Sequence, residues 1–146
     1  MLILKRLTIW LFETSCEVIL LGLFLTIFLG FDKHDFGKDL LTYIAGIILL
    51  SITTWYLLTT AVARALWAGQ RPWPYPVIAT TLFLIHFEIF NVGIRGAFDP
   101  QERLPVRAAG ACIVFACTFA GSSLLRKWRV VEARGQKPAD KRDVLQ

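Results

Sequence analysis

Five side chains in this 146-residue chain are candidates for chemistry because of where they fall: Glu13, Glu17, His86, Glu88 and Asn91. All lie inside long apolar runs, where a charge costs roughly 2.5–3.5 kcal/mol on insertion scales and needs a reason to be there. Carboxylates and imidazoles at such depth can relay protons, hold a cation or bond one helix to another. Glu13 and Glu17 stand four apart and share a helix face, continued by Leu20, Leu21 and Phe24. In a later run Thr81, Glu88 and Arg95 recur every seven residues with Asn91 three beyond Glu88, which reads as one polar stripe. His86 is two residues from Glu88 and so about 200° away around a helix. Both cannot face one bundle interior, so either His86 faces a different helix or one of the two faces lipid or a partner.

The elements that position them are read from blocks of hydrophobicity. The chain is 55% hydrophobic and 13% aromatic with a mean hydropathy of +0.56, and the excess sits in blocks long enough to span a bilayer. Residues 1–129 are expected to form one transmembrane domain with spans at about 7–31, 40–67, 77–94 and 105–125, and 130–146 a basic, disordered tail, the disorder expected at least beyond Gly135. The segment before the first span does not fit a cleaved signal peptide, so that span is read as retained. Between the second and third spans Pro72, Pro74 and Pro76 forbid a continuing helix, and Trp67, Trp73 and Tyr75 are expected as an interfacial aromatic belt. The Asp99-Pro100 breaker marks a turn before the fourth span.

Orientation follows from the basic residues. Of the 16 Lys and Arg, eleven (Lys5, Arg6, Arg64, Arg71 and the run from Arg126 onward) fall on the side of the two termini, against Lys33, Lys38, Arg95, Arg103 and Arg107 on the other. The positive-inside rule then places both termini in the cytoplasm and the protein, multi-pass, in the cell inner membrane. The expected fold is an all-α, four-helix transmembrane bundle, up-down-up-down. The net charge of +5 is spent at span ends, on topology and on anionic lipid at the cytoplasmic face, and does not suggest nucleic acid.

Counting about 1.5 Å per residue from the cytoplasmic boundary places Glu13 near 9 Å, His86 near 14 Å, Glu17 near 15 Å, Glu88 near 17 Å and Asn91 near 21 Å. Glu17 and Glu88, from different helices, are therefore expected to meet at one level, turned toward protein. Two readings compete. As interhelical glue these groups stabilise the bundle by roughly 0.6–2 kcal/mol per contact. As a site they are proton-coupling or binding groups. A metal site is not expected, because inward-facing ligands in bundles use Glu-x-x-His spacing, whereas His86-Phe87-Glu88 is His-x-Glu. His34, in the loop after the first span, lies far from His86 in depth, and no cofactor is implied. Cys16, Cys112 and Cys117, odd in number and all in apolar runs, do not suggest a disulfide framework.

The fourth span is rich in small residues. Cys112, Ala116 and Ala120 form one ridge at helical spacing, and Cys117 with Gly121 a second. Such ridges let helices approach closely in a membrane, either within the chain or at a seam with another one. Arg107 is expected to reach the headgroups or to pair with Asp99 or Glu102. With little chain outside the membrane and no nucleophile–base pair, the reading is a non-catalytic subunit or assembly factor. It would pack against itself or a larger complex through these faces. The alternative is a small homo-oligomeric transporter or channel using the glutamates for proton or cation coupling.

Either Glu13 or Glu17 resembles the lone first-span glutamate of the small multidrug transporters, whose glycine-rich later helices and very short loops are missing here. The Gly-rich Arg motif of the fluoride channels is absent. Phe87-Glu88 followed by Leu104-Pro105-Val106-Arg107 faintly resembles the phosphate-starvation-inducible membrane family over a short stretch, with the flanking spans differently arranged. No family is assigned from these residues.

Overall fold

The computed structural model describes residues 2–29, 40–67, 71–93 and 100–135. They form four helices: α1 (Leu2–Leu29), α2 (Leu40–Leu66), α3 (Pro74–Gly93) and α4 (Pro100–Gly135). Each contains a stretch long and apolar enough to cross a membrane. In hydrocarbon a backbone must satisfy its own N–H and C=O groups, so an apolar run without an internal breaker has no alternative to the helix.

The ends follow local chemistry. Pro74 and Pro76 sit in the first turn of α3, where a proline's missing N–H would lack an intrahelical acceptor in any case. The Val77 N–H donates to the Trp73 carbonyl at 3.3 Å as the helix begins. At the other end of α2 the Trp67 N–H donates to the Ala63 carbonyl at 2.9 Å, and Arg6 Nη1 reaches across from α1 to the Ala65 carbonyl at 2.6 Å. A cation on the last carbonyls of a helix satisfies acceptors that the backbone cannot.

α4 departs from expectation at both ends. It starts at Pro100 and not at Pro105, which lies inside the helix. Only one backbone bond is lost there, near the helix start, and Glu102 in the first turn favours the positive end of the dipole. The helix then runs on to Gly135, past the expected tail boundary. The rest of the expected tail, residues 136–146, and the loop of 30–39 with His34, like Arg95 and Asp99, lie outside the described residues.

α1 and α3 each pack against both α2 and α4, while the diagonal pairs make no close backbone approach among the described residues. Along these seams rising residue numbers meet falling ones: Glu13 and Glu17 of α1 bond Arg64 and Tyr56 of α2, and Trp73 of α3 lies by Phe119 of α4 while Glu88 bonds Arg107. Apolar packing is concentrated on α3 and α4. Tyr75, Ala79 and Val114 form one buried cluster and Phe87 with Val106 another.

The distribution of polarity is inverted relative to a water-soluble protein. Large apolar side chains such as Ile27, Leu66, Val92 and Leu104 are exposed, while Arg6, Glu13, Glu17, Thr60, Arg64, His86, Asn91, Thr118 and Ser122 are buried. Apolar surface faces outward where the solvent is lipid, and polar groups find one another inside.

Two glycines of α4 allow close approach. A Cβ on Gly110 would overlap the Phe83 ring, and one on Gly121 would overlap the Glu13 carboxyl group, whereas Gly22 of α1 has open space around it. Gly121→Ala should therefore destabilise the bundle by about 1–3 kcal/mol, because the Glu13 side chain cannot retreat from its partner. Gly22→Ala should be neutral or stabilising by up to about 1 kcal/mol through helix propensity. Thermal unfolding of the two purified variants in the same detergent compares them directly.

Candidate functional site

A buried polar assembly centred on Arg64 joins all four helices. Glu13 (α1) forms a buried salt bridge with Arg64 (α2), through Oε1 and Nη2. The other terminal nitrogen of Arg64, Nη1, donates to the Ser122 hydroxyl of α4 at 3.0 Å. Its guanidinium carbon lies 4.0 Å from the centre of the Tyr75 ring of α3. One arginine thus touches all three other helices: a carboxylate, a hydroxyl and an aromatic face. Arg64, Glu13 and Tyr75 are each no more than 2% exposed. A planar guanidinium suits this role because it can bond in two directions in its plane while its face stacks on a ring.

By its place near the end of the second apolar run, Arg64 reads as a topology charge. The signal that it was more lay in its position, inside the span of 40–67 and close in depth to Glu13. Tyr75, expected in an interfacial belt, is instead 1% exposed. Its ring is needed beside Arg64, and its hydroxyl reaches the Thr60 carbonyl at 3.5 Å. Trp73, 57% exposed beside Phe119, remains at the surface.

One helical turn from Glu13, Glu17 accepts a hydrogen bond from the Tyr56 hydroxyl of α2 at 3.2 Å. The His86 ring of α3 meets the Tyr56 ring edge-on, with centroids 5.4 Å apart. Glu17, Tyr56 and His86 line a common cavity. The structure therefore brings Glu17 and His86 together.

Glu88 goes elsewhere. It pairs with Arg107 of α4 at 2.8 Å, with both side chains close to half exposed on the flank of the α3–α4 pair. The expected meeting of Glu17 with Glu88 is replaced by two separate pairings, because His86 and Glu88 point to opposite sides of α3 and His86 takes the interior. Arg107 is held by Glu88 and, among the described residues, not by Glu102; the other expected partner, Asp99, lies outside them. The supposed stripe also divides: Thr81 is exposed, whereas Asn91 is buried and donates to the Phe87 carbonyl at 3.0 Å.

The small-residue ridges of α4 separate by face. Cys117 is half-buried and Gly121 buried against Glu13, so that ridge packs within the chain. Cys112, Ala116 and Ala120 are exposed. Among the described residues no group of three or more His, Cys, Asp or Glu side chains is placed to hold a metal ion.

Comparison of the chain with protein families, with curated proteins and with solved structures finds no match.

Removing one member of a buried pair leaves the other charge without compensation, at a cost of about 3–5 kcal/mol. Arg64→Leu and Glu13→Leu should each destabilise the bundle on that scale. The double variant should recover a large part of the loss, because the two sites are coupled and not additive. Unfolding of the four proteins of this cycle, followed by circular dichroism in detergent, measures the coupling. Simple addition of the two losses would show that the pair contributes nothing as a pair.

Proposed function

We propose that this chain is a non-catalytic integral membrane subunit or assembly factor of the cell inner membrane. In this reading it is an up-down-up-down bundle with both termini cytoplasmic. The antiparallel run of contacts along each seam supports that topology, and the excess of Lys and Arg on the side of the termini supports the orientation.

One observation carries the functional reading. Glu13, Glu17 and Glu88, the carboxylates at membrane depth, are each engaged by a partner in the same chain. Their chemistry is spent on holding helices together, as expected for a scaffold. The docking face in this proposal is the ridge of Cys112, Ala116 and Ala120 on α4, which is exposed among the described residues. A second small-residue helix, from another copy or a larger complex, could approach it closely. The competing transport reading keeps one favourable observation, that Glu17 lines a cavity. In that case Glu17→Gln would abolish pH-coupled flux.

Extraction in mild detergent followed by affinity purification should recover a stoichiometric larger partner. Ala116→Leu with Ala120→Leu should reduce that recovery by about tenfold, equivalent to about 1.4 kcal/mol, without changing the thermal stability of the isolated bundle. Recovery of a clean, small homo-oligomer that conducts protons or cations would instead establish the transport reading.

A further inference from the structure

Most charged groups inside the apolar stretches are turned inward, but one pair is not. Glu88 of α3 and Arg107 of α4 bond at 2.8 Å with side chains 43% and 46% exposed. By contrast Glu13, Arg64, Glu17 and His86 are each no more than 8% exposed. The pair lies within the stretches Pro74–Val92 and Gln101–Val131, four residues before the end of the first and six after the start of the second. At about 1.5 Å per residue that is roughly 6–9 Å inside. Charged side chains at such depth normally turn to a bundle interior, because hydrocarbon does not solvate them. The surface around this pair is otherwise suited to lipid. Ile85 and Val92, three before and four after Glu88, are 49% and 76% exposed, and Leu104, three before Arg107, is 72% exposed.

The contact leaves bonding capacity unused. It engages Nη1 of Arg107 and Oε1 of Glu88, and neither side chain has another polar partner among the described residues. A carboxylate accepts from several directions and a guanidinium carries five donors, so each has room for a second opposite charge. The pair also crosses the seam between α3 and α4, which sets a negative and a positive charge side by side at one level. Copies of one chain take the same orientation in the membrane when the same basic residues set it. A two-fold axis along the membrane normal then brings Glu88 of one copy to Arg107 of the other, and Arg107 to Glu88. The flank is its own complement. A partner carrying one sign of charge would satisfy half of it and repel the other half.

We propose that the α3–α4 flank joins two copies of this chain in a two-fold dimer, in which Glu88 and Arg107 of both copies close a ring of four alternating charges. Ile85, Val92 and Leu104 surround the ring and keep lipid from it. The proposal rests on the reading of the chain as a packing subunit and names its partner, a second copy. It places the contact on the charged pair and not on the small-residue ridge of α4, so the two can fail separately.

The test uses the full chain, labelled with donor or acceptor dye, in dilute phosphatidylcholine vesicles, with pairing read by energy transfer. The unmodified chain should pair. Glu88→Gln with Arg107→Gln removes both charges together and should weaken pairing by about tenfold or more. Glu88→Arg alone leaves two positive charges on the flank, and Arg107→Glu alone leaves two negative ones. Neither should pair with itself, and the two mixed should pair with each other. Mixing restores no contact within one chain, so this rescue is specific to an interface between copies. An unmodified chain that stays monomeric, or a mixture that pairs no better than its components, overturns the proposal. Where the reversed chains do not assemble, as thermal unfolding reports, the neutral double variant decides, and undiminished pairing overturns the proposal. A monomer that recovers a larger partner would overturn the dimer and keep the subunit reading. A conducting oligomer that survives the neutral double variant would overturn both.

Discussion

A guanidinium in the interior of a lipid-facing bundle is the constraint to which the rest of the structure is fitted. Arg64 has little water around it, so its charge and its donors must be matched by protein. Glu13 supplies the countercharge, Ser122 an acceptor and Tyr75 a ring face, one from each of the other helices. Gly121 is part of the same arrangement, since any side chain there would occupy the space of the Glu13 carboxyl group. In a water-soluble bundle the hydrophobic effect would draw four helices together whatever the details. In lipid that drive is absent between helices, so polar contacts and close backbone approach must define how they pack.

From this junction the bundle changes character along its length. Around Arg64 and toward the start of α1 the helices are drawn in by polar contacts: Trp10 with Thr60, and Arg6 with the end of α2. In the other direction large aromatic side chains, Phe83, Phe87 and Phe90, fill the α3–α4 side, while residues of α1 and α2 such as Val18 and Leu49 complete the wall of the cavity. Rings pack well against one another and against Gly110, but they do not fill the space between all four helices. One half of the molecule is thus a polar clamp and the other a hollow with an apolar wall. Glu17 belongs to both, one turn from Glu13 and at the deep end of the cavity.

Much of this architecture was legible in the residues. Four apolar blocks separated by charged or proline-rich segments determine four helices, because a backbone in hydrocarbon can satisfy itself in no other way over such lengths. The spacing of Glu13 and Glu17 determines a shared face, and the spacing of His86 and Glu88 determines that they part. The choice between these last two was not legible: nothing local to α3 says which of two opposite sides turns inward. That is decided by what the neighbours present, Tyr56 for His86 and Arg107 for Glu88.

The tertiary structure alone decided the partners. Arg64 reads as a topology charge and Tyr75 as a belt residue when each is judged by its place along the chain. They become a buried pair only when α2 and α3 bring them to the same level beside Glu13. Helical period and hydrophobicity are properties of one segment, and a sequence states them directly. An ion pair across two helices depends on their relative rotation and offset along the axis, and those are set jointly by every contact in the bundle.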